Sequence, residues 1–465
     1  MKKYIKIEKI EIKKKKILKW YFSKSQNVNK YFLKNNPYIV YDEEIDESPK
    51  SILNIPAISS IIMLSWHIGA DVYVDEIDKT YLESLKNIKT VMERWYPKLP
   101  FSNIRAEKII TNNFSNDNYG MLFSGGIDSM DTYIRNRNNK PNLIHCNIRT
   151  EHFKSNKDHI RNFAEEEKVK LNFVNTNIMD SINEYLLTAK FGISWFGQII
   201  FGMLFTSLCA PITNVNKIKS LLIASSLTEE FKHPWGSHPE LDNKIAWNGC
   251  YVFHDGFEFS RQEKIKNIHS HIKNNKTSSD HILKTLALVP DHCITERLIN
   301  KSGEKCGKCK DFLNDDCEKC LRNIAGLALE GINPNECGFN IDRDIFDMIK
   351  MKIIEHHLYK RKLLIPTKGE LISNQSELFF WKDIQKNISE KCFNYTIYNS
   401  RDFFKWLKDF NLSEYNTKIK ISDLPRLTIA TASFHLYPMY CTITSNNKNS
   451  IFLDKITNAI YKKII

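Results

Sequence analysis

The opening stretch MKKYIKIEKIEIKKKK lacks the continuous apolar core of an export signal, so no export is expected. The chain also lacks low-complexity tracts and an internal repeat of fixed period, which excludes disordered, fibrous and solenoid classes. Arginine is scarce beside lysine, while asparagine and isoleucine are plentiful throughout, so the net charge of +13 reads as a bias of the whole chain. Nucleic acid is neither required nor excluded by it. The densest basic run, Lys13 to Lys16, is flanked by alternating apolar residues, which suits an edge strand or solvated surface better than a phosphate-tracking arm. Charged side chains are missing altogether from Phe191 to Asn216, a length near the roughly 20 residues of a spanning helix. Gln198, three glycines and Pro211 interrupt that stretch, and no second candidate stands out. A helix buried against a sheet is expected, with no membrane association.

What is present fits an ordinary globular protein: 465 residues, 42% of them hydrophobic and 26% charged, with room for two or three domains. Eleven cysteines are many for a chain without an export signal, and six fall between Cys293 and Cys337. In a reducing cytoplasm, the expected location, such clustering points to metal or redox chemistry.

Residues 1–115 alternate short β-like runs with the amphipathic helix KTYLESLKNIKTVMERWY and read as a separate α+β domain. From Asn118 the pattern becomes strand, turn, helix in regular succession, which implies a doubly wound parallel sheet over residues 116–290. A cysteine cluster occupies 291–340, and a mixed, largely helical region follows over 341–465.

Within the first strand–helix turn, the strand stops at Phe123 and the helix begins near Ser129, leaving Ser124-Gly125-Gly126-Ile127-Asp128 at the carboxyl edge of the sheet. Two glycines let backbone N–H groups converge, Ser124 and Ser129 add hydroxyls, and the helix start adds partial positive charge. The expected product is a phosphate socket. Asp128 would repel a bare anion, so it is either a helix cap or a carboxylate holding the magnesium of a nucleotide.

The string SGGIDS resembles the pyrophosphatase loop (PP-loop) of the adenine nucleotide α-hydrolase family, whose domain is HUP/Rossmann-like. It is no Walker loop, since no lysine follows the glycines. The resemblance implies an enzyme that cleaves ATP between its α and β phosphates, passes AMP to a substrate oxygen and lets a nucleophile displace it. It implies that Ser124, Gly125, Gly126, Ile127, Asp128 and Ser129 hold the pyrophosphate, with Ser124, Asp128 and Ser129 the catalytic members. Cys146, Asn147 and Arg149 would then lie beside the adenosine, although Arg149 is equally suited to a surface role. The loop after the fourth strand would close over the acceptor, which makes His233, Trp235, His238, Asp255 and Arg261 substrate candidates, with Glu229 and Asp242 near them. Exposed loop histidines and a half-buried tryptophan anchor are the plain alternatives. Alanine at Asp128 or Ser124 is expected to abolish AMP formation with the fold intact.

Cys306-x-x-Cys309 and Cys317-x-x-Cys320 are two knuckles that together close a tetrahedral zinc site of four thiolates, structural because no position stays open. Cys293 is the alternative ligand. Cys293 followed by CGKC and CEKC resembles the 7-cyano-7-deazaguanine synthase group of PP-loop ligases, apart from the inserted KDFLNDD. That resemblance covers roughly Asn118 to Gly338, under half the chain. It implies a carbon–nitrogen ligase using ATP, Mg2+ and Zn2+, which adenylates the carboxylate of a 7-deazaguanine or related acceptor for displacement by ammonia or an amine. Position 2 is Lys2, not the catalytic cysteine of synthases that carry their own glutaminase, so ammonia is expected free or from a partner. The acceptor is a small molecule or a protein, and the enlarged chain resembles components of bacterial anti-phage and modification gene clusters, where a partner protein would be encoded nearby. A tRNA-modifying PP-loop enzyme and a non-catalytic nucleotide-binding subunit are the other readings.

Overall fold

Alternation in the opening segment puts Ile5, Ile7, Leu18 and Trp20 on the buried face of a hairpin, β1 (Tyr4–Lys13) and β2 (Ile17–Lys24). The computed structural model describes residues 2–33, 35–150, 157–231, 233–274, 280–286, 292–293, 318–341, 345–360, 368–395 and 397–412. The basic run Lys13 to Lys16 forms the hairpin turn, with Lys14 and Lys15 at φ 49° and 59°. It lies at the solvated surface, where Lys15 Nζ is 3.0 Å from Glu44, but β1 is not an edge strand.

Nine more strands join the hairpin: β3 (Tyr38–Tyr41), β4 (Asp71–Asp78), β5 (Ile104–Ile110), β6 (Asn118–Leu122), β7 (Asn142–Asn147), β8 (Leu171–Thr176), β9 (Ile218–Ala224), β10 (Ala246–Trp247) and β11 (Cys250–Asp255). Among the described residues they form one eleven-stranded, mostly parallel sheet in the order β10-β11-β9-β6-β7-β8-β3-β2-β1-β4-β5. The run β8-β7-β6-β9-β11 is wholly parallel and follows the 3-2-1-4-5 order of doubly wound, Rossmann-like sheets. The α+β region expected as a separate domain continues that same sheet, because β3 pairs antiparallel with β8 through Ile39, Val40 and Tyr41.

Helices cover both faces. One face is packed by α1 (Lys50–Ile68), α2 (Lys79–Trp95) and the segments Phe201–Leu208 and Ala210–Val215. The other carries α3 (Ile127–Asn136), α4 (Asp158–Glu167) and the helices Arg261–Asn274, Glu318–Leu329, Ile345–Lys360 and Ser400–Asp409. The described part of the carboxyl-terminal region is thus helical and packs on the α3 face.

The charge-free stretch from Phe191 folds as several short pieces, including one π-helical segment at Trp195–Ile200, and lies mostly buried. A second helix long and apolar enough to cross a membrane, α1, is wholly buried. It escaped the reading of the sequence because Asn54, Ser59, Ser60 and Ser65 dilute its apolar run. Those hydroxyls donate to the carbonyls of Pro56, Ala57 and Ile62 one turn back, so the helix is buried on all sides with its serines satisfied.

Candidate phosphate-binding site

Strand β6 delivers the loop 124–126 to the point where the strand order reverses, between β6 and β9, and α3 begins at once behind it. Gly125 adopts φ +75°, and a Cβ there would sit 2.9 Å from the Thr285 methyl and 3.0 Å from the Thr285 carbonyl oxygen. Both the conformation and the space therefore require glycine. Gly125→Ala is expected to cost about 1–3 kcal/mol, from the left-handed backbone and the contact with Thr285. Urea unfolding would register this, and an unchanged midpoint would mean the loop relaxes freely.

The loop is closed by its own polar atoms. Ser124 N–H donates to Ser129 Oγ at 3.3 Å, Gly126 N–H donates to Ser124 Oγ at 3.3 Å, and the two hydroxyls are 3.1 Å apart. Ser129 Oγ also donates to the Gly126 carbonyl at 3.0 Å. Ser124 is exposed, whereas Gly125 through Ser129 are buried. The α3 amides that precede its first helical bond, Met130 N–H to Gly126 O at 2.9 Å, face this same end of the helix.

Asp128 does not cap the helix. Its Oδ2 accepts from Arg261 Nη2 at 2.7 Å and from Ser226 Oγ at 3.0 Å, and its Oδ1 lies 3.9 Å from Lys264 Nζ. Burial alone would raise this carboxyl, but Arg261, Lys264, Lys319 and the Ser226 hydroxyl outweigh it and hold the pKa at about 2. Oδ2 is taken up by Arg261 and Ser226, whereas Oδ1 is buried without a hydrogen-bond partner among the described residues, with Lys264 Nζ 3.9 Å away, so one carboxylate oxygen still suits a magnesium ion. Arg261 is fixed in turn by the Asn323 side chain at 3.0 Å and lies over the Phe380 ring, so the carboxyl-terminal helices brace the site.

No family model, curated protein or solved structure matches the chain.

Several expected residues gather here and others do not. Asp255, at the end of β11, accepts from Thr132 at 2.7 Å and from Arg135 at 2.5 and 3.1 Å, so it buttresses α3. At the end of β7, next to β6, Asn147 donates to Asn175 at 2.7 Å, and Cys146 Sγ lies 3.8 Å from Cys209 Sγ. Arg149, part exposed, pairs with Glu184 at 2.7 Å and stands 3.9 Å from Asp180. His238 caps the short helix Pro239–Asp242 by accepting from Glu240 N–H at 3.1 Å, wedged between Trp95 and Phe257, and burial lowers its pKa. Trp235 packs on Gly197 and Phe231, the anchor alternative, and His233 also stacks edge-on against Phe231. Asp242 is buried in bonds from Ser237 at 2.6 Å and His254 at 2.8 Å, while Glu229 is exposed.

Of the cysteine set, Cys306, Cys309 and Cys317 lie outside the described residues. Cys320 is buried in the first turn of the helix Glu318–Leu329, and Cys293 stands in a two-residue strand paired with Phe339–Asn340. Among the described residues no group of three or more His, Cys, Asp or Glu is placed to hold a metal.

Besides Asn323, reading the sequence missed Lys264 and Ser226. Lys264, only 1% exposed, donates from Nζ to the Ser225 carbonyl at 2.6 Å, and burial lowers its pKa against the pull of Asp128. Its three-residue spacing from Arg261 on one helix was the available signal. Ser226 had none, because its role depends on β9 lying beside β6.

Proposed function

We propose that the chain is a PP-loop ATP pyrophosphatase of HUP/Rossmann-like fold, a carbon–nitrogen ligase that binds the β and γ phosphates of ATP at Ser124 to Ser129. The observation that carries this reading is the Ser124–Ser129 loop, set on the start of α3 at the switch point of a 3-2-1-4-5 sheet, with Arg261 and Lys264 buried beside it. In the reaction, a carboxylate oxygen of the acceptor attacks the α-phosphorus and the bond to the β-phosphate oxygen breaks. Ammonia or an amine then attacks the acyl carbon, gives up a proton to solvent and expels AMP with the electron pair to leave an amide; with ammonia, adenylation of the amide oxygen by a second ATP and loss of AMP and the nitrogen's protons would leave a nitrile. The amides of the loop and of the first turn of α3 would take charge from the departing pyrophosphate, replacing the hydroxyl contacts they make with one another. Magnesium accompanying ATP would screen the phosphates. A four-thiolate zinc site at Cys306, Cys309, Cys317 and Cys320, with Cys293 in reserve, completes the proposal as a brace for the helix that carries Asn323.

The test is product analysis of the full chain incubated with ATP, magnesium, ammonium and 7-carboxy-7-deazaguanine. AMP together with a new amide or nitrile is the expected result. ATP binding without AMP, with any acceptor or added cell extract, would favour a non-catalytic nucleotide-binding subunit. ADP in place of AMP would overturn the proposed bond cleavage.

A further inference from the structure

The two sides of the sheet end differently. On one side β10 is two residues long, while on the other β5 runs for seven residues and pairs only with β4 among the described residues. An open edge presents a row of N–H and C=O groups, and proteins blunt it with proline, a bulge, shortness or charged side chains; of these β5 has only charge, in Arg105, Glu107 and Lys108, which repels some pairings and favours others. β5 carries no proline and keeps its register with β4 throughout, and Ile109 is 57% exposed.

The ladder determines which groups face outward. Val72 N–H donates to the Asn103 carbonyl at 2.9 Å, so the backbone groups of Asn103, Arg105 and Glu107 turn toward β4. Those of Ile104, Ala106 and Lys108 turn away from it.

We propose that a second copy of this chain pairs antiparallel along β5, across a two-fold axis at Ala106. Symmetric antiparallel pairing sets outward residues opposite outward ones, so the axis passes through a residue and the side chains choose which. An axis at Glu107 opposes two carboxylates, one at Lys108 opposes two ammonium groups, and one at Arg105 opposes two guanidinium groups. With the axis at Ala106, Arg105 faces Glu107 of the second copy on both sides, in the non-hydrogen-bonded positions where cross-strand side chains come closest. Arg105 Nε is 3.4 Å from Asp71 within its own chain, and its side chain remains 53% exposed. This inference needs nothing from the nucleotide reading.

Light scattering after size exclusion, run on the full chain across the micromolar range, tests it. The expected mass is twice the 54.5 kDa of the chain. Glu107→Arg places like charges opposite each other twice and should raise the dissociation constant about tenfold or more. Adding Arg105→Glu to that variant exchanges the two charges and should restore the dimer. Ala106→Pro, which removes the outward N–H at the axis, should give a monomer whatever the charges. Equal thermal midpoints at a concentration where all variants are monomeric would show that each folds. A wild-type monomer throughout this range overturns the proposal, as does a dimer indifferent to Glu107→Arg and Ala106→Pro. A double reversal that stays monomeric overturns the Ala106 axis.

Discussion

Asp128→Ala should unfold the protein far more readily than wild type, by about 3–5 kcal/mol, because it removes the carboxylate that faces two buried cations. Arg261 and Lys264 have side chains only 4% and 1% exposed, so water does not take the place of the lost charge. Loss of AMP formation in this variant would therefore report on folding as much as on chemistry, and the expectation of an intact fold does not survive the geometry. Chemical denaturation followed by far-ultraviolet circular dichroism measures the effect, and a change below about 1 kcal/mol would show that the pair is not tightly held. Acid should act in the same direction. A carboxyl held near pH 2 in the fold, against an ordinary 3.8, contributes stability above the ordinary value and loses it as pH falls from about 4 toward 2. That contribution is on the order of 2 kcal/mol, and Asp128→Asn should flatten this part of the acid limb.

Ser124→Ala should do the reverse, leaving stability within about 0.5 kcal/mol and lowering AMP formation roughly 100- to 1,000-fold. Ser124 is exposed, and its hydroxyl accepts from Gly126 N–H at 3.3 Å and contacts Ser129 Oγ at 3.1 Å. It sits where an incoming phosphate would meet the loop, and it holds no buried charge in place. Steady-state kinetics beside a melting curve separates the two effects. A variant with wild-type AMP formation and an unchanged melt would remove Ser124 from the phosphate site. Together, the Ser124 and Asp128 variants distinguish the ligand-facing side of this loop from the side that anchors it.

The loop itself was legible in the sequence because its signals are local: two glycines, flanking serines, an apolar strand before and a helical period after. The same locality explains why residues 116–290 read as alternating strands and helices, and why the start of α3 was expected at the carboxyl edge of a parallel sheet. Asp128 was legible as an important carboxylate but not by its role. Its partner Arg261 lies 133 positions away, and nothing in SGGIDS announces a buried ion pair. Ser226 and Asn323 were hidden for the same reason, each being brought in by a different element, while Lys264 offered only its spacing from Arg261.

By itself, then, the sequence determined what depends on neighbours along the chain: hydrophobic period, turn chemistry, and the glycine that φ +75° at position 125 demands. Only the tertiary structure decided what depends on neighbours in space. It joined the first five strands to the Rossmann-like sheet through the β3–β8 pairing, buried α1 on every side, and made Asp128 the anchor of Arg261 in place of a helix cap. The physical reason is that strand pairing and charge burial are settled by which surfaces meet when the sheet closes, and a local pattern leaves many such meetings open.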